Sequence, residues 1–124
     1  MAKILVVDDE HDVCDFVKTF FEERSYDVMA AYDGEEALRI AKSQKPDIIL
    51  LDIRMKKMDG IETLKKLRDF DKNVNVIMVT AVADRDKIDI ASKFGAKGYI
   101  TKPLVLEELE SAVYENTRKN KGVK

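Results

Sequence analysis

Short runs of consecutive apolar residues, rather than alternating ones, are the strongest pattern in this chain. Three such runs cover residues 4–7, 48–51 and 76–79. A continuous run of this length is typical of a strand buried on both faces, as in a parallel sheet covered by helices. Two weaker runs, at residues 28–32 and 98–101, predict two further strands. The chain is therefore expected to contain five strands.

The segments between the predicted strands have apolar residues at helical spacing. In the first of them, Val13, Phe16, Val17, Phe20 and Phe21 form one apolar stripe. Similar stripes occur in four later segments, at Ala37, Ile40 and Ala41; Ile61, Leu64 and Leu67; Ile88, Ala91 and Phe94; and Leu106, Leu109, Ala112 and Val113. Strand and helix alternating five times predict an α/β domain, a doubly wound parallel sheet with helices on both faces.

Composition narrows the class of protein without naming it. A length of 124 residues suits a single domain. Lys and Arg number 22 against 24 Asp and Glu, and this balance argues against a dedicated nucleic-acid-binding module. The single cysteine, Cys14, excludes an intramolecular disulfide. Each strong apolar run is four residues long, whereas a membrane span needs about 20. We expect a cytoplasmic protein with no membrane or nucleic-acid partner.

The residues that follow the predicted strands are the candidates for chemistry, because a doubly wound sheet binds ligands beyond the carboxyl ends of its strands. These residues are Asp8, Asp9 and Glu10 after the first strand, Asp52 after the third, Thr80 after the fourth and Lys102 after the fifth. Carboxylates that converge there repel one another and require a cation. Oxygen ligands favour a hard ion such as Mg²⁺, and a lysine and a hydroxyl can contact phosphoryl oxygens. The pattern predicts phosphoryl chemistry.

Common nucleotide-binding motifs do not occur in the sequence. The five glycines, at positions 34, 60, 95, 98 and 122, form neither GxGxxG nor GxxxxGK[ST]. The Asp-Asp-Glu loop after the first strand would repel the phosphate of a flavin mononucleotide. A hydrolase with an aspartyl nucleophile on that strand would favour Asp-x-Asp, whereas Asp8 and Asp9 are adjacent. Neither of these alternatives fits the sequence well.

Six short motifs occur in a fixed order along the chain. They are Val-Asp-Asp-Glu at 7–10, Pro-Asp-Ile-Ile-Leu-Leu-Asp-Ile at 46–53, Met-Asp-Gly at 58–60, Val-Thr-Ala at 79–81, Phe-Gly-Ala at 94–96 and Lys-Pro at 102–103. In this order and spacing the chain resembles the response-regulator receiver domain of bacterial two-component signalling. The resemblance implies the flavodoxin-like fold with strand order 2-1-3-4-5. It also implies a receiver domain over residues 1–118, with residues 119–124 as a basic tail or linker stub.

The resemblance implies a role for individual acidic and hydroxyl residues. Asp52 matches the phosphoacceptor. Asp9 and, mainly through water, Asp8 match the ligands of Mg²⁺, together with Asp52 and the backbone carbonyl of Arg54. Thr80 matches the switch hydroxyl. Taken alone, Asp8 and Asp9 would also suit the start of a helix, where carboxylates are favourable.

Three further residues match positions on the predicted fifth strand and just after it. Lys102 matches the lysine that contacts the phosphoryl group, and the Lys102–Pro103 peptide bond matches one that the family holds cis. Tyr99 matches the switch aromatic, which turns inward when Thr80 moves toward the phosphate. Taken alone, Tyr99 would also suit a half-buried strand aromatic.

Three positions near the phosphoacceptor affect how long a phosphoryl group would last or how the adjoining loop is shaped. Arg54 and Val82 flank the site. Val82 has no polar group to hold an attacking water, and Arg54 is long enough to shield a phosphoryl group, so we expect slow self-dephosphorylation. Lys56 stands where many relatives have a proline, and this replacement removes a restraint on the loop.

The function implied by the resemblance is a phosphorylation-dependent switch, not an enzyme beyond its own phosphotransfer and slow dephosphorylation. A sensor histidine kinase or histidine phosphotransfer protein would supply the phosphoryl group. Phosphorylation would change a surface on the fourth helix, fifth strand and fifth helix that binds a downstream target or a fused output domain. A monomer is expected, with dimerisation on phosphorylation left open. Two alternatives are a pseudo-receiver, which would usually lose the residues retained here, and a metal-dependent phosphatase that turns over an external phosphomonoester.

Overall fold

Five parallel strands form the sheet that the apolar runs predict. A computed structural model describes residues 2–81 and 84–117. The strands are β1 (Lys3–Val7), β2 (Asp27–Ala31), β3 (Ile48–Asp52), β4 (Asn75–Thr80) and β5 (Gly98–Thr101). They lie in the order β2-β1-β3-β4-β5, and every neighbouring pair is parallel. The predicted fold class and strand order are confirmed.

Helices cover both faces of this sheet. They are α1 (His11–Glu22), α2 (Gly34–Gln44), α3 (Gly60–Phe70), α4 (Arg85–Lys93) and α5 (Leu106–Thr117). Helices α2, α3 and α4 contribute to the apolar core on one face, and α1 and α5 contribute to the core on the other. Within the part of the chain that the structure describes, no helix combines the length and the apolar character needed to cross a membrane.

The two cores explain why the strand residues are apolar without alternation. In β1, Leu5 and Val7 point into the core under α2 and α3, whereas Ile4 and Val6 point into the core under α1 and α5. Successive side chains of a strand face opposite sides of the sheet, so a strand covered on both sides needs apolar residues at every position. All residues of β3 and β4 are buried for the same reason.

Strand β2 ends one residue earlier than predicted. Tyr32 was expected in the strand, which ends at Ala31. The Tyr32 backbone N–H donates instead to Glu36 Oε1 over 2.8 Å, and Glu36 N donates to Asp33 Oδ1 over 2.8 Å. These two bonds satisfy backbone donors at the start of α2, as in a capping box. Asp33 is thus the N-cap residue of α2, and this helix start takes Tyr32 out of the strand ladder.

Arg68 joins the end of α3 to the end of α4. Its guanidinium donates to four backbone carbonyls: Phe94 (2.7 Å), Val74 (2.9 Å), Asp71 (3.2 Å) and Gly95 (3.2 Å). Burial lowers the pKa of Arg68 from its usual value, against the opposing charge of Asp71. The guanidinium therefore satisfies carbonyls at the ends of two helices and fixes their separation.

Gly60 allows α3 to begin against the end of β3. Its N–H donates to the Ile53 carbonyl over 2.8 Å. A Cβ at this position would overlap the Asp52 carbonyl oxygen and would lie 2.8 Å from the Ile53 Cα. Because both obstacles are backbone atoms, only glycine fits here without a shift of the strand end.

We expect Gly60→Ala to lower the free energy of unfolding by about 2 kcal/mol, because overpacking against backbone forces a shift. Chemical denaturation monitored by circular dichroism measures the change. Gly98→Ala is the matched control, since a Cβ there would only reach ordinary contact with Ile77 Cδ1 at 3.9 Å. Equal stability of the two variants would contradict this account of Gly60.

Candidate functional site

The carboxyl ends of the central strands open into one polar cleft. Its lining residues are Asp9, Glu10, Asp52, Arg54, Lys56, Ala81 and Lys102. Asp52 and Thr80, predicted to follow their strands, are the last residues of β3 and β4. The topology therefore brings together residues from four strands, as the rule for doubly wound sheets predicts.

Three carboxylates form the acidic part of the cleft. Asp8, Asp9 and Asp52 each offer one oxygen, and these oxygens lie within 4.8 Å of one another. Asp8 and Asp52 are only 2% and 4% exposed. Buried carboxylates at such separations repel strongly unless a cation lies between them. The three oxygens form the kind of hard donor set that binds a divalent cation.

Lys102 supplies the positive charge opposite these carboxylates. Its Nζ lies 2.9 Å from Asp8 Oδ2, 3.4 Å from Glu10 Oε1 and 3.5 Å from Asp52 Oδ2. Burial alone would disfavour the ammonium, but the bond to Asp8 and the charges of Asp52, Asp8 and Glu10 outweigh it and raise the pKa of Lys102. Lys102 therefore stays charged and is shared among three acidic groups.

The Asp52 carboxyl group is difficult to ionise in this environment. Burial and then the charge of Asp8 raise its pKa to about 7, against the opposing effect of Lys102. The lysine lies nearer to Asp8 than to Asp52, so it compensates Asp52 only in part. A further cation in the cleft would favour the ionised, nucleophilic form of Asp52.

Backbone contacts hold the other two carboxylates in place. Asp8 Oδ1 accepts from Glu10 N over 2.9 Å, and Asp9 Oδ2 accepts from Lys56 N over 3.2 Å. A proline at position 56 would have no N–H to donate. The replacement of proline by Lys56, noted in the sequence, thus gives Asp9 a hydrogen bond from the β3–α3 loop.

Cys14 packs directly beneath this part of the site. Its thiol lies 3.4 Å from the Asp8 carbonyl oxygen, to which it donates. Burial and the charge of Asp8 raise the pKa of Cys14 to about 12. The thiol stays protonated at neutral pH and packs within the apolar core under α1 and α5.

Asp84 is the functional neighbour that sequence reasoning missed. Arg54 donates to both of its oxygens, with Nε to Oδ2 at 2.9 Å and Nη2 to Oδ1 at 2.8 Å. The Thr80 hydroxyl lies 3.3 Å from Asp84 Oδ2 and 2.9 Å from the Ala81 carbonyl oxygen. The bond from Arg54 is the main cause of a lowered pKa for Asp84. In the sequence, an aspartate just before a helix resembles an ordinary N-cap residue, so nothing in the sequence indicates that Asp84 contacts Arg54.

A family model described as the response regulator receiver domain matches residues 4–114. The chain belongs to this family. Its members function in two-component signalling, as the six motifs predicted.

Two curated relatives show how much of a longer protein such a receiver domain can represent. Sporulation initiation phosphotransferase F of Bacillus subtilis is 36% identical over 111 residues, which is 90% of each chain. The alkaline phosphatase synthesis transcriptional regulatory protein PhoP of the same organism is 42% identical over 112 residues. That match covers 90% of this chain but only 46% of PhoP.

A solved structure resembles the receiver domain throughout. It is the CheX–CheY–BeF₃–Mg²⁺ complex of Borrelia burgdorferi, with a TM-score of 0.86 and 34% identity. The match covers 92% of this chain and 87% of that chain. This likeness and the strand order agree on the CheY-like form of the fold.

The structure also describes the predicted switch aromatic, Tyr99, and the predicted cis peptide bond. Tyr99 lies on β5 and is 48% exposed, so its ring points outward in this structure. The Lys102–Pro103 peptide bond is cis. Val82 and the tail at residues 119–124 lie outside the described residues, and the division at residue 118 stays a prediction.

The raised pKa of Asp52 predicts a pH-dependent effect of Asp52→Asn on stability without metal. Below about pH 4 the carboxyl group is protonated in both the folded and unfolded states. Between pH 4 and 7 only the unfolded state ionises, so the native protein loses stability relative to the variant. We expect the variant to melt at least about 4 °C higher at pH 8, but no higher at pH 4.

Thermal unfolding in the presence of a chelator measures this difference. Asp69→Asn, which changes an exposed carboxyl group on α3, is the control and should not produce the same pH-dependent gain. An Asp52→Asn gain that is equal at pH 4 and pH 8 would show that ionisation of Asp52 does not cause it.

Proposed function

We propose that this receiver domain is a phosphorylation-dependent signalling switch in which Asp52 accepts a phosphoryl group. The position of the Asp52 carboxyl group carries the proposal, because it lies buried at the end of β3 between other carboxylates and the Lys102 ammonium. The proposed donor is a phosphohistidine on a sensor histidine kinase or histidine phosphotransfer protein. Similarity to a phosphotransferase of sporulation and to a transcriptional regulator supports a role in signalling.

The proposed step is a transfer from nitrogen to oxygen. A carboxylate oxygen of Asp52 forms a bond to phosphorus, the P–N bond to the donor imidazole breaks, and its electron pair returns to the imidazole nitrogen. Lys102 and Thr80 then contact oxygens of the transferred group. The product is an acyl phosphate, a mixed anhydride that water hydrolyses. The protein is thus a phosphoacceptor rather than an enzyme that turns over an external substrate.

The acidic cluster fits the Mg²⁺ that this chemistry requires. Asp8, Asp9 and Asp52 bring three oxygens within 4.8 Å of one another, and oxygen donors are the ligands that Mg²⁺ prefers. The backbone carbonyl of Arg54, two residues beyond Asp52, is the proposed further ligand. When bound, the ion would neutralise charge on the phosphoryl oxygens. Asp8 already accepts bonds from Lys102 and Glu10, which supports its proposed contact through water.

Slow loss of the phosphoryl group remains part of the proposal. It rests on Val82, whose side chain offers no hydrogen bond to an attacking water, and on Arg54 at the rim of the cleft. In the unphosphorylated protein the Arg54 guanidinium is bonded to Asp84, so shielding would require it to change partners.

The proposed output surface lies on the side of the domain formed by α4, β5 and α5. Apolar side chains are exposed there at Ile90, Phe94 and Tyr99. Tyr99 lies on the strand next to the one that ends in Thr80, and the two residues are the proposed switch pair. The proposed partner is a downstream target protein or a fused output domain, with no direct contact to nucleic acid or membrane. A cytoplasmic location and a monomeric state stay predictions, with dimerisation on phosphorylation left open.

Phosphorylation by a small donor tests the proposed function. We expect the native protein with Mg²⁺ and acetyl phosphate to gain one phosphoryl group in intact-mass spectrometry, and Asp52→Asn to gain none. Asp27→Asn, at the far edge of the sheet, is the control and should react like the native protein. No modification of the native protein, or undiminished modification of Asp52→Asn, would overturn the proposal.

The hydrogen bond from Lys56 to Asp9 predicts a difference between two variants in Mg²⁺ affinity. Both Lys56→Pro and Lys56→Ala remove the ammonium, but only proline removes the N–H that orients Asp9. We expect Lys56→Pro to bind Mg²⁺ about threefold more weakly than Lys56→Ala, measured by isothermal titration calorimetry. If the two variants bind equally, the backbone bond does not contribute to the metal site.

A further inference from the structure

Asp84 joins two residues of the phosphorylation site from outside the acidic cluster. Its carboxylate is 6% exposed and accepts a bidentate pair of bonds from Arg54, at 2.9 and 2.8 Å. The Thr80 hydroxyl lies 3.3 Å from the same carboxylate. Bidentate bonds between guanidinium and carboxylate are among the stronger polar contacts in proteins. Asp84 therefore holds Arg54 firmly and contacts Thr80 more weakly, because the single hydroxyl proton of Thr80 also faces the Ala81 carbonyl oxygen at 2.9 Å.

Asp84 makes these contacts in place of a helix cap. It is the N-cap residue of α4, yet its side chain makes no capping hydrogen bond. The corresponding residues of α2 and α3, Asp33 and Asp59, both accept a backbone N–H in the usual way. At α4 the same residue type binds side chains of the site instead, so the start of this helix is linked to the cleft.

Helix α4 has little apolar packing to hold it otherwise. Of its nine residues only Ala91 is buried, and Ile90 is 38% exposed. A helix with so few buried contacts depends more on polar contacts at its ends. The bonds between Asp84 and Arg54 hold the start of α4 together with an ion pair between Lys87 and Asp59 and the packing of the partly buried Ile88.

We propose that Asp84 is a positioning residue that keeps Arg54 and Thr80 away from Asp52 until a phosphoryl group competes for both. This inference rests on the proposed function. A phosphoryl group on Asp52 would carry more charge than one carboxylate and would offer three acceptor oxygens. Arg54 is two residues from Asp52, and Thr80 ends the neighbouring strand. Transfer of both donors would leave Asp84 without its partners and release the start of α4.

Competition of this kind has a cost that a substitution can remove. In the native protein, the phosphorylated arrangement forms only after the bonds to Asp84 break. A variant without these bonds would reach that arrangement without first breaking them. Its affinity for a phosphoryl mimic would therefore rise by the free energy that the bonds to Asp84 contribute in the native protein. Because Arg54 is largely exposed, we expect a gain of about threefold to tenfold.

Beryllofluoride with Mg²⁺ is the probe, and its apparent dissociation constant is measured by NMR titration of backbone amides. We expect Asp84→Asn to bind it about threefold to tenfold more tightly than the native protein. Asp86→Asn is the matched control, because Asp86 carries the same charge in the first turn of α4 but is exposed. A gain below twofold for Asp84→Asn, or an equal gain for Asp86→Asn, would overturn the inference.

A second background separates positioning from a general effect of charge. In Arg54→Ala, Asp84 no longer holds the guanidinium, so the further change Asp84→Asn should give a much smaller gain. An undiminished gain in that background would mean that Asp84 does not act by holding Arg54, and would overturn the inference. If native protein and Asp27→Asn bind beryllofluoride and Asp52→Asn does not, the proposed function stands whatever Asp84→Asn does.

A measurement on the native protein keeps the inference testable if Asp84→Asn does not fold. The Arg54 Nε–H signal in NMR spectra reports the bond to Asp84. We expect this signal to shift when beryllofluoride and Mg²⁺ saturate the protein. An unchanged Arg54 signal at saturation would show that the bond to Asp84 persists and would overturn the inference.

Discussion

The balance between buried carboxylates and a single ammonium group governs this receiver domain. Asp8, Asp9 and Asp52 bring like charges to one edge of the sheet, where two charges about 4 Å apart interact by roughly 4 kcal/mol at an effective dielectric constant near 20. Lys102 lies closest to Asp8 and compensates Asp52 only in part. Burial of Asp52, together with this remaining imbalance, raises the pKa of its carboxyl group and favours a divalent cation in the cleft, the ion that the proposed phosphoryl transfer requires.

The backbone around the cleft keeps these like-charged carboxylates close together despite their repulsion. Four of the parallel strands, β1, β3, β4 and β5, end at this edge, and residues at or just beyond their ends line the cleft. Gly60 brings the start of α3 against the end of β3, and the amide of Lys56 holds Asp9 from the intervening loop. The acidic groups therefore cannot relax apart as they would on a flexible surface. Their mutual repulsion raises the free energy of the site without a ligand, and a bound cation would relieve it.

The sequence predicts the sheet and the residues of the cleft well, for a clear physical reason. Continuous apolar runs indicate strands covered on both faces, and the residues at their carboxyl ends must then converge. Tyr32 was assigned wrongly to a strand, because a local capping bond overrides its β propensity. The contact between Arg54 and Asp84 could not be predicted, since it joins residues 30 apart through one choice of rotamer. The family resemblance implied that Lys56 stands where many relatives have a proline, but it did not imply that the Lys56 N–H reaches Asp9.

The four carbonyl bonds of Arg68 have a mechanical consequence for α4. Two of them, to Phe94 and Gly95, hold the carboxyl end of this nine-residue helix. Its amino end is held by the bonds of Asp84 to Arg54, by an ion pair between Lys87 and Asp59, and by the partly buried Ile88. If the bonds of Asp84 are lost, the helix would rotate about its carboxyl end. The displacement of its residues would then grow with their distance from that end. At about 1.5 Å per residue, the amino end of α4 lies roughly 12 Å from its carboxyl end. A small event in the cleft would thus tilt the helix and change the angle at which the neighbouring surface is presented.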